Sequence, residues 1–160
     1  MNTTMKVRWS ITVWLITLVF IIVIAYTEYF MVANDKIIWP IVIALVLLFC
    51  VAYAPLSISL NHSELVLKKI IGKISIPYHQ IEIIEPFTFT NDVRIFGSGG
   101  VCGYIGIFSN DEKGRYYSYI GEVKQAFFIV TKSGKKYAFS CENAPFVIET
   151  IKKNIQHGRI

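Results

Sequence analysis

Three cysteines, three histidines and eleven carboxylates are the groups in this 160-residue chain that could carry covalent, metal or acid–base chemistry. His62, His79 and His157 stand apart, and no spacing to Cys50, Cys102 or Cys141 matches a zinc or C-x-x-C pattern. Glu82 and Glu85 share an Ile-rich segment. Three residues apart on a strand, they point to opposite faces and form no close acid–base pair without a bulge. Ser140-Cys141 has no assignable base, so no nucleophile–base–orienter set can be drawn. Cys141 precedes a predicted helix, where a thiol pKa can fall, but a small buried side chain is the simpler reading. These patterns point away from an enzyme and imply no cofactor and no metal.

Two further groups could bind rather than react. GSGGVCG (Gly97 to Gly103) has the composition of a phosphate loop. It lacks the Gly-Lys-Ser/Thr ending, and Cys102 holds the last glycine position of the dinucleotide pattern. The stretch 90–114 is expected to be irregular, with Arg94 to Phe108 its functionally exposed part. Glycine allows close approach to a surface. The apolar Phe96, Val101, Tyr104, Ile105 and Phe108 form a candidate interaction loop toward lipid or protein, with packing into the domain's own core as the competing role. Lys68, Lys69 and Lys73 are candidate contacts to anionic headgroups. Each basic residue near an anionic leaflet contributes about 1 kcal/mol. Acids are interspersed among the lysines, so a solvated surface is the alternative. No motif supports nucleic-acid binding.

Two kinds of segment must position these groups. The chain is 54% hydrophobic and 17% charged, where a soluble domain is about a quarter charged, and its apolar residues crowd the first third. This excludes disorder and a disulfide scaffold. Trp9 to Thr27 and Ile37 to Leu56 carry no charge. The first run would extend about 28 Å as a helix, close to the thickness of a bilayer core. Two transmembrane helices, 9–27 and 37–55, are therefore expected, making residues 1–55 a membrane anchor. Trp9, Tyr26, Trp39 and Tyr53 are plausible interfacial anchors. A cleaved signal peptide fits less well, because the first apolar core is long and no clear A-x-A site follows. Lys6 and Arg8 precede the first run, and Lys68, Lys69 and Lys73 follow the second. The positive-inside rule then predicts a multi-pass inner-membrane protein with both termini cytoplasmic and the connection 28–36 outside.

From Leu56 the apolar period becomes two. SISL, LVLKKII, ISIPY, HQIEIIEPF, RYYSYI, VKQAFFIV and KKYAFS read as about seven short antiparallel strands, with a two-residue turn at Gly72-Lys73. ENAPFVIETIKKNIQ reads as a helix with Asn143 as N-cap and Pro145 in its first turn. Val147, Ile148, Ile151 and Ile155 form its apolar face. Such a sheet must curl, and the helix can close its open end.

Three segments in this order carry a family resemblance: ISIPYHQIEIIEPF (Ile74 to Phe87), RIFGSGGVCGYIGIF (Arg94 to Phe108) and KKYAFSCENAPFVIETIK (Lys135 to Lys152). Residues 56–156 resemble a bacterial pleckstrin-homology (PH) domain of the membrane-anchored kind. The resemblance implies a fold and not a ligand: two transmembrane α-helices followed by a mainly β PH-like barrel with a C-terminal α-helix, residues 56–160 forming a cytoplasmic domain. The basic ligand loop of eukaryotic PH domains has no match in Asn61 to Glu64. The expected function is a non-enzymatic, membrane-anchored binding or assembly module. Its expected partners are the lipid bilayer and another membrane protein or a second copy. The alternative is peripheral recognition of anionic lipid headgroups.

Overall fold

Alternating apolar residues from Pro55 onward build two sheets in the computed structural model, which describes residues 3–30 and 38–157. The first sheet is antiparallel throughout, in the order β1 (Thr3–Lys6), β2 (Pro55–Leu60), β3 (Glu64–Lys69), β4 (Lys73–Pro77). The second contains β5 (Ile81–Pro86), β6 (Val93–Gly100), β7 (Gly103–Asn110), β8 (Gly114–Ile120), β9 (Ala126–Thr131) and β10 (Lys136–Ser140). Its order is β5-β9-β10-β8-β7-β6. Three helices complete the described residues: α1 (Ile11–Phe30), α2 (Ile38–Tyr53) and α3 (Ala144–His157).

The apolar face of α3 packs where its spacing puts it. Val147 and Ile151 are fully buried against Ile58, Leu65, Leu67, Ile81, Phe127 and Phe139, and Ile155 is partly buried beside them. Each such side chain contributes roughly 1.5–3 kcal/mol on leaving water. Asn143 caps the helix, its Oδ1 accepting the N–H of Phe146 at 3.3 Å.

Several expectations are corrected. The sheets are not wholly antiparallel, because β8 and β10 pair in parallel. Ser140 on β10 accepts the N–H groups of Gly121 and Glu122 just after β8, holding the end of β8 beside the end of β10. The turn after β3 is longer than two residues. Ile70 and Ile71 leave the ladder, and the N–H of Ile71 donates to the carbonyl of Ala52 at the end of α2. The glycine-rich stretch is a hairpin, β6–β7, paired from Val93↔Ser109 to Gly100↔Gly103 with one register shift between Arg94 and Phe96. The first strand has a single buried apolar residue, Met5, and carries no period-two signal, yet it pairs with β2 over its whole length.

The two expected transmembrane helices are overturned: among the described residues no helix is long and apolar enough to cross a membrane. At 1.5 Å per residue α2, with 16 residues, is about 24 Å long, short of a hydrocarbon core of about 30 Å. The apolar part of α1, from Ile11 to Ala25, is about 22 Å long before Tyr-Thr-Glu-Tyr follows. One face of α1 is also engaged by the protein itself. Val13 and Thr17 are buried, and the Thr17 hydroxyl accepts the N–H of Cys102 at 3.1 Å. Trp9 lies against Trp14, with ring centroids 5.2 Å apart. The expected multi-pass inner-membrane placement, with cytoplasmic termini, thus lacks the spanning helices it was drawn from. Most of the expected connection 28–36 lies outside the described residues.

Candidate functional site: an apolar cleft between α2 and the second sheet

Helix periodicity puts Val42, Leu45, Val46, Phe49, Cys50 and Tyr53 on one stripe of α2. That stripe does not close onto a core. It faces the β6–β7–β8 side of the second sheet across a cavity of about 710 Å³, lined on the sheet by Phe96, Ile105, Ile107, Tyr117 and Tyr119. The size falls within the roughly 300–1,000 Å³ usual for small-molecule sites, and so does the apolar lining with few polar groups.

The floor of the cleft depends on two glycines. Gly97 and Gly106 are register partners with φ of +109° and +136°. A Cβ on Gly97 would collide with the carbonyl oxygen of Ile105, and one on Gly106 with that of Phe96. Only glycine lets the strands meet here. The tip of the hairpin is held by α1. The turn residue Cys102 adopts φ +57° while its N–H donates to Thr17, and Ile16 fills the space beside Gly100. Ser10 starts α1, its Oγ accepting the N–H of Val13 at 3.2 Å, and its own N–H donates to the carbonyl of Gly121.

A cation lies beside two of the rings that line the cleft. Lys69 Nζ lies 4.8 Å from the ring centroid of Tyr53 and 5.4 Å from that of Tyr119. Burial pushes the Lys69 ammonium below its ordinary pKa. The phenol of Tyr119 is pushed up, first by burial and then by Tyr137, Tyr117 and Tyr53. Cys50 is half-buried in the cleft wall, and burial raises its thiol pKa.

The residues expected to form an interaction loop separate into different environments. Phe96 is 62% exposed at the rim of the cleft, and Ile105 is buried in its floor. Val101 is half-buried in the hairpin turn, its carbonyl accepting the Ser98 hydroxyl at 2.6 Å. Tyr104 and Phe108 face the other side of the hairpin, against Phe89, and Phe108 is buried in a cluster with Phe87, Tyr116 and Phe128. In that cluster the Tyr116 hydroxyl donates to Asp92 at 2.8 Å. The three lysines also divide. Lys68 and Lys73 are cross-strand partners on the outer face of the first sheet, whereas Lys69, one residue on from Lys68, points to the opposite face. The α2 stripe was hidden in the sequence by its uniformly apolar surroundings. Its i, i+3, i+4 spacing marks a face only once a partner surface is known.

Titratable groups elsewhere do not converge. Among the described residues no group of three or more His, Cys, Asp and Glu side chains comes together. Burial raises the Cys141 thiol to about 11. Glu82 and Glu85 are both exposed on β5.

No curated protein and no solved structure matches this sequence. The sequence does match the bacterial PH domain family over residues 56–155, from β2 to near the end of α3. PH domains are generally non-catalytic binding modules, and no enzymatic family is indicated. With the greater part of its length covered by that match, the chain belongs to the bacterial PH domain family.

Proposed function

We propose that this chain is a non-catalytic binding module whose ligand surface is the apolar cleft between α2 and the β6–β8 face. The cleft itself carries the reading: a PH domain core is already closed by α3, so a second apolar surface of this size serves no packing role. The outward faces of α1 and α2 add to it, with Trp14, Leu15, Leu18 and Leu48 all exposed. Contiguous apolar surface of this kind marks interaction sites. The test is titration of the full chain with the neutral apolar fluorophore N-phenyl-1-naphthylamine. Emission should rise and saturate, and should fail to rise in Leu45→Glu and Phe96→Glu. Both side chains are mostly exposed, so these charges enter the cleft without entering the core. Equal emission from both variants and the unmodified chain would remove the cleft as the binding surface.

A second reading has its own observation. Lys6, Ser57, Lys68 and Lys73 are successive cross-strand partners across the first sheet and therefore share one face. Like charges placed directly opposite one another are destabilising, and a bound anion relieves them. Headgroup recognition at this row predicts that full chain co-sediments with anionic vesicles and not with zwitterionic ones. Lys68→Gln with Lys73→Gln should weaken that association, and vesicle binding unaffected by the pair of changes would exclude the row.

A further inference from the structure

Resting on the cleft reading, we propose that the ligand is a long-chain fatty acid, its chain lying along the α2 stripe and its carboxylate at Lys69. The argument starts from the register of β3. Leu65 and Leu67 are fully buried, and Lys69 continues the same face beyond the core. Its ammonium comes out between the rings of Tyr53 and Tyr119, which both line the cleft. Those rings hold the cation from the side without neutralising it. Among the described residues the ion pairs are Arg8–Glu142 and Lys153–Glu149, and neither involves Lys69. A half-buried ammonium with aromatic neighbours and no carboxylate is complementary to an incoming anion.

The shape of the charge selects the class of ligand. Lys68 and Lys73 lie on the opposite face of the hairpin, so of the three lysines only Lys69 lies beside the cleft rings. One cation matches a singly charged carboxylate better than a multiply charged phosphate. Tyr119 lies beside Lys69, and its phenol, protonated at neutral pH like any tyrosine, offers a second hydrogen-bond donor. The rest of the cavity is mostly apolar side chain and the close-packed glycine floor, which suits methylene groups; its few other polar groups are Cys50, the phenols of Tyr53 and Tyr117, and Ser98, whose hydroxyl already donates to the Val101 carbonyl. The pattern of one charged end and one long apolar wall is that of a single-chain amphiphile. A peptide would have to leave backbone polar groups unpaired along this wall.

The experiment is displacement of N-phenyl-1-naphthylamine from the full chain by three competitors: palmitate, hexadecanol and butyrate. Palmitate should displace the dye, hexadecanol should be about tenfold weaker, and butyrate should not compete. Lys69→Met keeps the apolar stem and should weaken palmitate about tenfold without changing hexadecanol, while Lys69→Arg should keep most of the palmitate affinity. Equal affinities for palmitate and hexadecanol, or an unchanged palmitate affinity in Lys69→Met, would overturn the carboxylate assignment and leave the apolar cleft standing. Dye uptake that no competitor reverses would assign the cleft to a different occupant and overturn the fatty acid. Failure of the dye itself to bind would remove the cleft reading together with this one.

Discussion

Replacing Gly106 by alanine puts one methyl group where the hairpin has no room for it. The new Cβ would collide with the Phe96 carbonyl oxygen and lie 2.9 Å from the Cα of Gly97, so β6 and β7 would have to separate at the floor of the cleft. The backbone at Gly106 also has φ +136°, a conformation that side chains rarely adopt. Strained backbone of this kind costs about 1–3 kcal/mol, and overpacking against rigid neighbours a further 1–3 kcal/mol or so. Taking about 4 kcal/mol together, and about 2–4 °C per kcal/mol for a chain of this size, the melting temperature should fall by roughly 8–16 °C. Gly134→Ala provides the internal comparison. Gly134 has φ +79° with nothing within 4 Å of the built Cβ, so it carries the backbone cost without the collision. Thermal melts of the full chain followed by circular dichroism should rank Gly106→Ala well below Gly134→Ala. If the two variants melt together, the close approach of the strands at Gly106 is not what its glycine serves, and the account of the cleft floor is wrong.

Other consequences are open to direct measurement. Ile151→Asp should unfold the chain, because it buries an unpaired charge in the fully buried face of α3; a variant that melts like the unmodified protein would contradict the packing of that helix. Thr17→Val removes the acceptor of the Cys102 N–H and should cost about 1–3 kcal/mol in urea titrations, with faster hydrogen exchange at Cys102. Alkaline pH should destabilise the fold. Folded pKa values are raised from 9.0 to about 11 at Cys141 and from 10.0 to about 12 at Tyr78, in both cases chiefly by burial. Groups raised in this way leave stability intact below their unfolded pKa, and stability is lost as pH climbs from there through the folded value. Urea midpoints should therefore decline between pH 9 and pH 12, and Cys141→Ala should flatten the first part of that decline.

What could be read from the chain follows from which signals are local. The α3 helix was legible because Val147, Ile151 and Ile155 repeat at one period beside a capping Asn143, and its partner is the domain's own core. Strands such as β9 and β10 were legible for the same reason, as apolar runs bounded by turns. The β6–β7 hairpin was not. Gly97 and Gly106 read as breakers of regular structure when taken singly, and only their placement opposite one another turns them into a requirement of it. β1 was invisible because four residues with one buried methionine carry no period. The N-terminal apolar runs misled in another way. Hydropathy reports that Ile16 and Val46 avoid water, not whether they avoid it against lipid, against the Gly100–Cys102 turn or along a cleft. Of the candidate site, the sequence singled out Phe96 and Ile105 by composition and Lys69 by charge, but their meeting across α2 is a property of the tertiary fold.

The central claim, that the cleft beside α2 is the ligand surface, is tested most directly by the reactivity of Cys50. Its thiol is half-buried in the cleft wall, whereas Cys102, near enough to Cys50 to feel its charge, and Cys141 are buried and do not line the cleft. The measurement is the rate of N-ethylmaleimide addition at each cysteine of the full chain, mapped by mass spectrometry, with and without saturating N-phenyl-1-naphthylamine. The account predicts that Cys50 reacts fastest in the free chain and slows strongly when the dye is present, with Cys102 and Cys141 slow in both. A Cys50 rate that the bound dye leaves unchanged would contradict it.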